Sequence, residues 1–266
     1  MDLFAIRSVL FLPASNPRAI DKARASAADL VVLDLEDAVK PADKADARSA
    51  AVQAVAGEWP MPVAIRVNVI GSDWHSVDVD AVSRSGAAFA VLPRTPSAHL
   101  LRGVREAIAK PTLAMIETAA GVLAAAQIAP KAAGLIVGTN DLSADLRLPQ
   151  GAGRQPLQMA LQTTVLAARA AGIPVFDGVF NDLENLDGFT AQCREGRALG
   201  FDGKSLIHPS QIEPCNRAFL PSEQEVDRAR RLVKAYGGGA ERFEGQMIER
   251  MHLEAARRLI ERAARS

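Results

Sequence analysis

Leu30-Val31-Val32-Leu33-Asp34-Leu35-Glu36-Asp37 is the stretch that decides how the chain is read. Four apolar residues, two of them β-branched, run straight into acids. A continuous apolar run this short reads as a strand buried on both faces, as in parallel sheets, with the acids at its C-terminal end. Working outward, the same unit recurs. Ser8–Leu12 reads as the strand before it, and Asn16 then caps a helix with Pro17 at its first position. Pro62–Val67, Ala87–Leu92 (ended by Pro93), Thr112–Ile116, Gly134–Val137, Pro174–Phe176 and Asp202–Ser205 read as further strands. Between them lie helical patterns at Asp43–Val55, Asp78–Ser83, Ala98–Ala109, Ala119–Ile128 and Asp182–Leu199, and one marked by Leu157, Leu161, Thr164 and Ala168 and ended by Gly172. Leu101, Val104 and Ile108 show the helical spacing most plainly.

Eight strand–helix alternations imply parallel strands and an α/β fold, a closed (β/α)8 TIM barrel. An open doubly wound sheet would show a glycine-rich phosphate turn after its first strand. Here that turn is Pro13-Ala14-Ser15-Asn16, without one glycine. The expected catalytic barrel covers 1–220. Residues 221–266 form a C-terminal helical extension: Ser222 and Glu225 have the spacing of a capping box before a helix to Tyr236, Gly237-Gly238-Gly239 make a flexible joint, and Met247–Ala264 reads as an amphipathic helix. A terminal helix behind a glycine joint is expected to act as a lid or to pack on another subunit.

The chain has 266 residues, the size of one such barrel, and its 31 basic residues balance 31 acidic ones. That balance argues against a broad nucleic-acid surface but leaves room for a local basic pocket. Aromatic residues, at 5%, are too sparse for base stacking. The start lacks a signal-peptide pattern and no run is long enough to span a membrane. Cys193 and Cys215 have no metal or redox spacing. A cytoplasmic protein with no nucleic-acid or membrane partner is expected.

In such barrels the site lies at the C-terminal ends of the strands. Asp34 to Asp37, Arg66 to Asn68, Arg94, Glu117, Gly138-Thr139-Asn140-Asp141, Asp177, Lys204, Ser205 and His208-Pro209 all fall there. A ring of acids needs cations. Mg2+ takes one or two carboxylates and completes its octahedron with water and substrate oxygens. Glu117 and Asp141, on neighbouring strands, are the expected metal pair. Arg66 can take a carboxylate with its planar guanidinium, or salt-bridge to Glu36 or Asp37. Lys204 could form a Schiff base, but a structural or substrate-facing role fits better where a metal can stabilise an enolate. His208 either donates to a ligand or orders its loop. His75, His99 and His252 show no metal spacing.

With these residues in view, the chain resembles the citrate lyase beta-subunit-like family, within the HpcH/HpaI aldolase and malyl-CoA lyase group. The resemblance rests on Arg7–Pro13, Leu33–Val39, Ile65–Asn68, Met115–Ala119, Gly203–Gln211 and Pro221–Glu223, in that order. It spans residues from about 6 to 260. It implies a Mg2+-dependent carbon–carbon lyase acting beside a CoA thioester, usually a trimer or a multiple of three. Glu117 and Asp141 would hold Mg2+. Arg66 would hold a 2-oxo acid, with Glu117, Gly138, Thr139 and Asn140 around it. The motif Asp34 to Asp37, Glu36 and Asp37 included, would support Arg66 and the metal waters and line the CoA path. Asp34, Arg18, Lys22, His208 and Pro209 would line the CoA path, and an acyl-carrier protein is a further expected partner. Gly245-Gln246-Met247-Ile248-Glu249 is similar to a family motif that ends in aspartate and reaches a neighbouring subunit's site as acid or base. Glu249 stands in its place. Asn140 and Arg94 also depart, from an acid and a lysine respectively. Thioester hydrolysis or synthesis, a CoA-independent pyruvate aldolase, and a non-catalytic binding barrel are the other readings.

Overall fold

The computed structural model describes residues 2–264, so residues 1, 265 and 266 of the two expected segments lie outside the described residues. The first eight strands are β1 (Ser8–Pro13), β2 (Leu30–Asp34), β3 (Val63–Arg66), β4 (Phe89–Leu92), β5 (Thr112–Ile116), β6 (Gly134–Val137), β7 (Val175–Asp177) and β8 (Gly203–Leu206). They pair in parallel in chain order, and β8 pairs back to β1, closing the barrel. Around it lie α1 (Pro17–Arg24), α2 (Lys44–Val55), α3 (His75–Ser83), α4 (Ala98–Ile108), α5 (Ala119–Ile128), α6 (Thr139–Asp145), α7 (Gln158–Ala171), α8 (Leu186–Leu199) and α9 (Ile212–Phe219).

Alternation along each strand explains both the core and the site. Successive side chains point to opposite faces. One file of residues, including Val9, Leu30, Val32, Ala64, Val91, Leu113, Met115, Ile136 and Phe176, fills the barrel. The other file, including Leu10, Val31, Leu33, Ile65 and Leu135, packs against the helices. Followed to the C-terminal ends, the inward file changes character. After Leu30 and Val32 comes Asp34, after Ala64 comes Arg66, after Met115 comes Glu117, and after Ile136 comes Gly138. These four line one cleft.

The helix ends follow their sequence signals. Asn16, Ser97, Thr118 and Asn185 each accept a hydrogen bond from a first-turn N–H. Gly172 and Gly200 end α7 and α8 in the left-handed conformation, at φ 67° and 100°. Asn185 is the reason α8 starts at Leu186, four residues later than its polar leader suggested.

A buried ionic triad ties the long loop after α6 to the barrel. The Asp177 carboxylate accepts from Arg154 Nη2 at 2.8 Å and from Lys204 Nζ at 2.9 Å. Lys204, fully buried, also donates to Gly178 O and to Gln192 Oε1 at 2.7 Å. Its ammonium is thus held structurally, which removes the Schiff-base option. Gly196 lies so close that a Cβ there would sit 2.8 Å from Asp177 Oδ2.

The C-terminal segment differs in part from its sequence reading. After α10 (Glu223–Ala235), a hairpin of β9 (Glu241–Phe243) and β10 (Gln246–Ile248) precedes α11 (Arg250–Ala264). Met247 and Ile248 are therefore strand, not helix. Glu244 and Gly245, both with positive φ (48° and 81°), make the two-residue turn that right-twisted hairpins favour. The Gly237–Gly239 joint is held as well, because the Glu241 carboxylate accepts from the Gly237 and Gly239 N–H groups. Ala229, Leu232, Ile248 and Ala256 form a small core of their own. Arg262 donates to the Asp202 carbonyl, which fastens the far end of α11 beside the start of β8, at the barrel end opposite the cleft. Among the described residues no helix is long and apolar enough to cross a membrane.

Removing Asp177 leaves Lys204 in the interior without a carboxylate and leaves Arg154 with Glu195 alone, at 3.2 Å. Asp177→Ala is expected to lose about 3–5 kcal/mol in urea unfolding. A loss under 1 kcal/mol would mean that the triad is not holding the loop.

Candidate active site at the C-terminal ends of the strands

Asp34 grips Arg66 across the β2–β3 pairing. Its two oxygens accept from Arg66 Nε at 2.6 Å and Nη2 at 2.7 Å, and from the N–H groups of Glu36 and Ala38, both at 2.9 Å. Burial pushes the Asp34 carboxyl up, but the Arg66 charge and these donors outweigh it and leave it below its ordinary value. Burial works against the Arg66 charge too, yet Asp34, Glu36 and Glu117 raise its pKa above the usual one. The sequence offered Glu36 or Asp37 as the salt-bridge partner. The fork-to-fork pair is with Asp34, which fills its own oxygens in doing so. Asp34 therefore stands in the cleft wall as the residue that positions Arg66.

The remaining nitrogen of Arg66, Nη1, faces the other way and donates to Met115 Sδ at 3.8 Å. It lies 2.9 Å from Glu36 Oε2 without hydrogen-bond alignment, so that buried oxygen has an ionic neighbour but no hydrogen-bond partner among the described residues. The guanidinium also stacks 5.4 Å from the Phe11 ring centroid. Only one edge of Arg66 is therefore available to a ligand, not the bidentate fork expected from its chemistry.

Lys44 holds the loop that carries Glu36 and Asp37. Its buried ammonium donates to Leu35 O and Glu36 O, both at 2.7 Å, and to Asn68 Oδ1 at 2.6 Å. Asn68 is held in turn by Asp78, through its side chain at 2.6 Å and its N–H at 2.9 Å.

Glu117 sits between β5 and the Thr118 cap of α5 and is almost fully buried. One oxygen accepts from the Arg94 N–H at 2.5 Å, where Arg94 turns the chain with φ 44°. Gly138 makes room for it: a Cβ there would lie 2.0 Å from Glu117 Oε2 and 2.5 Å from its Cβ. Gly138 also precedes α6, whose first turn bears Thr139, Asn140 and Asp141 and which no side chain caps. Asp141 faces Arg94 Nη1 at 3.7 Å. The Asn140 and Asn181 amides bond each other reciprocally, at 3.1 and 2.8 Å.

These acids are held in an environment that resists their charge. Burial pushes Glu36 up to about 8, with Asp37, Glu117 and Asp34 adding and Arg66 opposing. Burial pushes Glu117 up to about 7, with Asp141 and Asp37 adding and Arg94 and Arg66 opposing. Asp141 is raised as well, by burial and then by Asp37. Among the described residues no group of three or more carboxylate, histidine or cysteine side chains forms a closed metal cage. Two carboxyl groups beside open space suit a hard cation that keeps waters and ligand oxygens in its shell.

The cleft has a volume of about 400 Å³ and brings together Asp37, Arg66, Glu117, Gly138, Thr139, Asn140 and Asp141 of the expected residues. Glu36 meets it through Arg66. Arg18 and Lys22 stand exposed on α1, and His208 and Pro209 are exposed after β8; none of these four lines the cleft. His208 orders its loop, bonding Ser210 Oγ at 2.7 Å and its N–H at 3.2 Å. Glu249, before α11, does not line its own chain's cleft. Sequence reading missed Phe11 and Met115 as cleft residues, although both fall on the inward file of β1 and β5, and it placed Ser205 at the end of β8 without giving it a role.

Comparison with known proteins follows the same lines. A family profile described as HpcH/HpaI aldolase/citrate lyase matches residues 7–209. A (3S)-malyl-CoA thioesterase of Cereibacter sphaeroides is 39% identical over 97% of this chain and 94% of its own. The citrate lyase beta subunit of Escherichia coli is 32% identical over 97% and 93%. The crystal structure of CitE from Mycobacterium tuberculosis in complex with magnesium, acetoacetate and coenzyme A superposes with a TM-score of 0.88, at 34% identity over 98% of this chain and 100% of that one.

The raised carboxyls set a pH signature. Their folded values lie above the ordinary 4.5 of glutamate. The native state then binds more protons than the unfolded chain between about 4.5 and 8. This contribution to stability is complete below 4.5 and is lost as pH rises through 7 and 8. The metal-free protein is expected to lose melting temperature from pH 5.5 to 8.5, and Glu117→Gln to lose less over that range. Parallel profiles would contradict the raised Glu117. Gly138→Ala, in turn, is expected to displace Glu117 and weaken Mg2+ binding in calorimetry while the barrel still folds.

Proposed function

The chain belongs to the HpcH/HpaI aldolase/citrate lyase family, and on that premise we propose that it is a Mg2+-dependent carbon–carbon lyase. Its substrate would be a small 3-hydroxyacyl-CoA thioester of the malyl, citramalyl or citryl type, cleaved to acetyl-CoA or a related acyl-CoA and a 2-oxo acid. One observation carries the reading: a buried guanidinium, held by Asp34 on one side, shares a cleft with Glu117, whose carboxyl burial and neighbouring acids push up to about 7, and with Asp141, which is raised as well. Such a pair favours a bound cation.

Glu117 and Asp141 would hold Mg2+. Bound there, the ion supplies Lewis-acid polarisation of the substrate's oxygens and a template for the acid fragment. Support comes from the donor set itself and from relatives: the citrate lyase beta subunit of M. tuberculosis is known complexed with oxaloacetate and magnesium. Arg66 Nη1 binds an oxygen of the acid fragment, while Asp34 fixes the guanidinium plane. The uncapped first turn of α6, at Thr139, Asn140 and Asp141, offers N–H groups to a carboxylate. Glu36, pushed up to about 8, holds or takes a proton at Oε2 beside Arg66 and can accept the substrate's 3-hydroxyl proton. Asp37 lies exposed next to it, at the cleft mouth. Arg18 and Lys22, one turn apart on α1, suit the CoA phosphates, with His208 and Pro209 beyond them. Glu249 belongs to this scheme only on the extension of a second copy, in a trimer or multiple of three, where it would act as acid or base. The barrel over 1–220 would then hold the chemistry, and 221–266 would complete a neighbour's site. A thioester carried on an acyl-carrier protein is the alternative to CoA in this scheme.

Thioester hydrolysis is the second reading. The 39% identity to a (3S)-malyl-CoA thioesterase favours it. Both reactions begin from the same bound thioester, so the products decide. With Mg2+ and (3S)-malyl-CoA, the lyase reading expects acetyl-CoA and glyoxylate, whereas free CoA and malate would mean hydrolysis. Chelation by EDTA is expected to abolish either activity and Mg2+ to restore it. Glu117→Ala is expected to lower kcat/KM by more than the roughly 10–100-fold typical of residues one shell further from a metal. Activity that survives chelation would sink the metal role.

A further inference from the structure

Ser205 carries a buried hydroxyl with nothing to bond. The residue is 2% exposed, it lines the cleft from β8, and its Oγ has no hydrogen-bond partner among the described residues. Its register explains the position. Ser205 pairs with Val9, an inward residue of β1, so its side chain joins the file that faces the barrel interior. A buried hydroxyl without a partner is costly, and native structures rarely keep one unless something outside the protein completes it.

The cleft is divided by charge. Asp34, Asp37, Arg66, Glu117 and Asp141 occupy the side built from β2 to β6. The β7–β8–β1 side presents Phe11, Leu12, Pro13, Val179 and Ile207, and Ser205 is its one hydroxyl among the lining residues. Arg66 and the Mg2+ that Glu117 and Asp141 would hold draw a ligand's carboxylate to the charged side. Whatever lies across from it meets a neutral wall with a single hydrogen-bonding group.

We propose that Ser205 is a specificity-determining residue whose hydroxyl bonds a neutral oxygen, ketone or alcohol, on the part of the substrate remote from its carboxylate. The site would therefore select short acids bearing such an oxygen over their hydrocarbon analogues, because the analogue leaves the buried hydroxyl unpaired. The proposal rests on the reading of this cleft as a small-acid site.

Calorimetry on the full-length, Mg2+-loaded protein with 3-oxobutanoate and with butanoate tests it, since the two differ only in the neutral ketone. The wild type is expected to bind the oxo acid more tightly by about tenfold or more. Ser205→Ala is expected to bind both acids equally and to keep the wild-type Mg2+ affinity. Its ligand-free melting temperature should be unchanged or raised, because an unpaired hydroxyl has been removed. An unchanged preference in Ser205→Ala, or no preference in the wild type, overturns the proposal alone. So does a melting temperature several degrees lower in Ser205→Ala, which would make the hydroxyl structural. Failure of the wild type to bind either acid with Mg2+ present overturns the small-acid reading and this proposal together.

Discussion

The bidentate pair between Asp34 and Arg66 is the contact on which the site depends. It joins the last inward residues of two neighbouring strands, so the barrel's own register sets its geometry. By consuming Nε and Nη2 it fixes the guanidinium plane and leaves Nη1 as the working edge. It also settles the charge of the surroundings. One fixed cation partly offsets the acids around it, and the first of them, Asp34, is already neutralised by contact. Glu36, Glu117 and Asp141 are left with too little positive charge for their number, and burial lifts all three. A divalent cation is what such an arrangement lacks.

The supporting structure acts by holding these groups where their charge is uncomfortable. Lys44 clamps the loop after β2 through two carbonyls and Asn68. Arg94 turns through a positive φ so that its N–H reaches Glu117. Gly138 yields the space that the Glu117 carboxylate fills. On the far side, the Lys204–Asp177–Arg154 triad anchors the long loop behind α6 without entering the cleft. Two lysines that look similar in the sequence thus do structural work in different places, and neither offers a free amine.

The barrel was legible because most strands are short apolar runs, and β2, β3 and β5 run into polar residues, Asp34, Arg66 and Glu117, that period-two alternation turns inward. Asp34, Arg66, Glu117 and the Gly138–Asp141 segment were found by that rule. The partner of Arg66 was narrowed only to the Asp34–Asp37 motif, because three acids fall within four residues and only the β2–β3 register selects Asp34. Gly138 reads as a ligand-binding glycine from its neighbours, whereas its structural reason is the bulk of Glu117 beside it. The β9–β10 hairpin was hidden by Met247 and Ile248, which also suit a helix face; the Glu244-Gly245 turn was the available signal. Ser205 was placed at the end of β8 but given no role, because a serine beside a buried lysine gains meaning only when the closed barrel shows that none of the described residues bonds it.

The central claim is that Mg2+ takes the place of protons on the buried carboxyls. Calorimetric titration of Mg2+ at pH 7, in two buffers of different ionisation enthalpy, measures the protons released on binding. The account predicts a net release of a substantial fraction of a proton or more, reduced in Glu117→Gln. Binding with no proton release, or a release unchanged by that substitution, would contradict it.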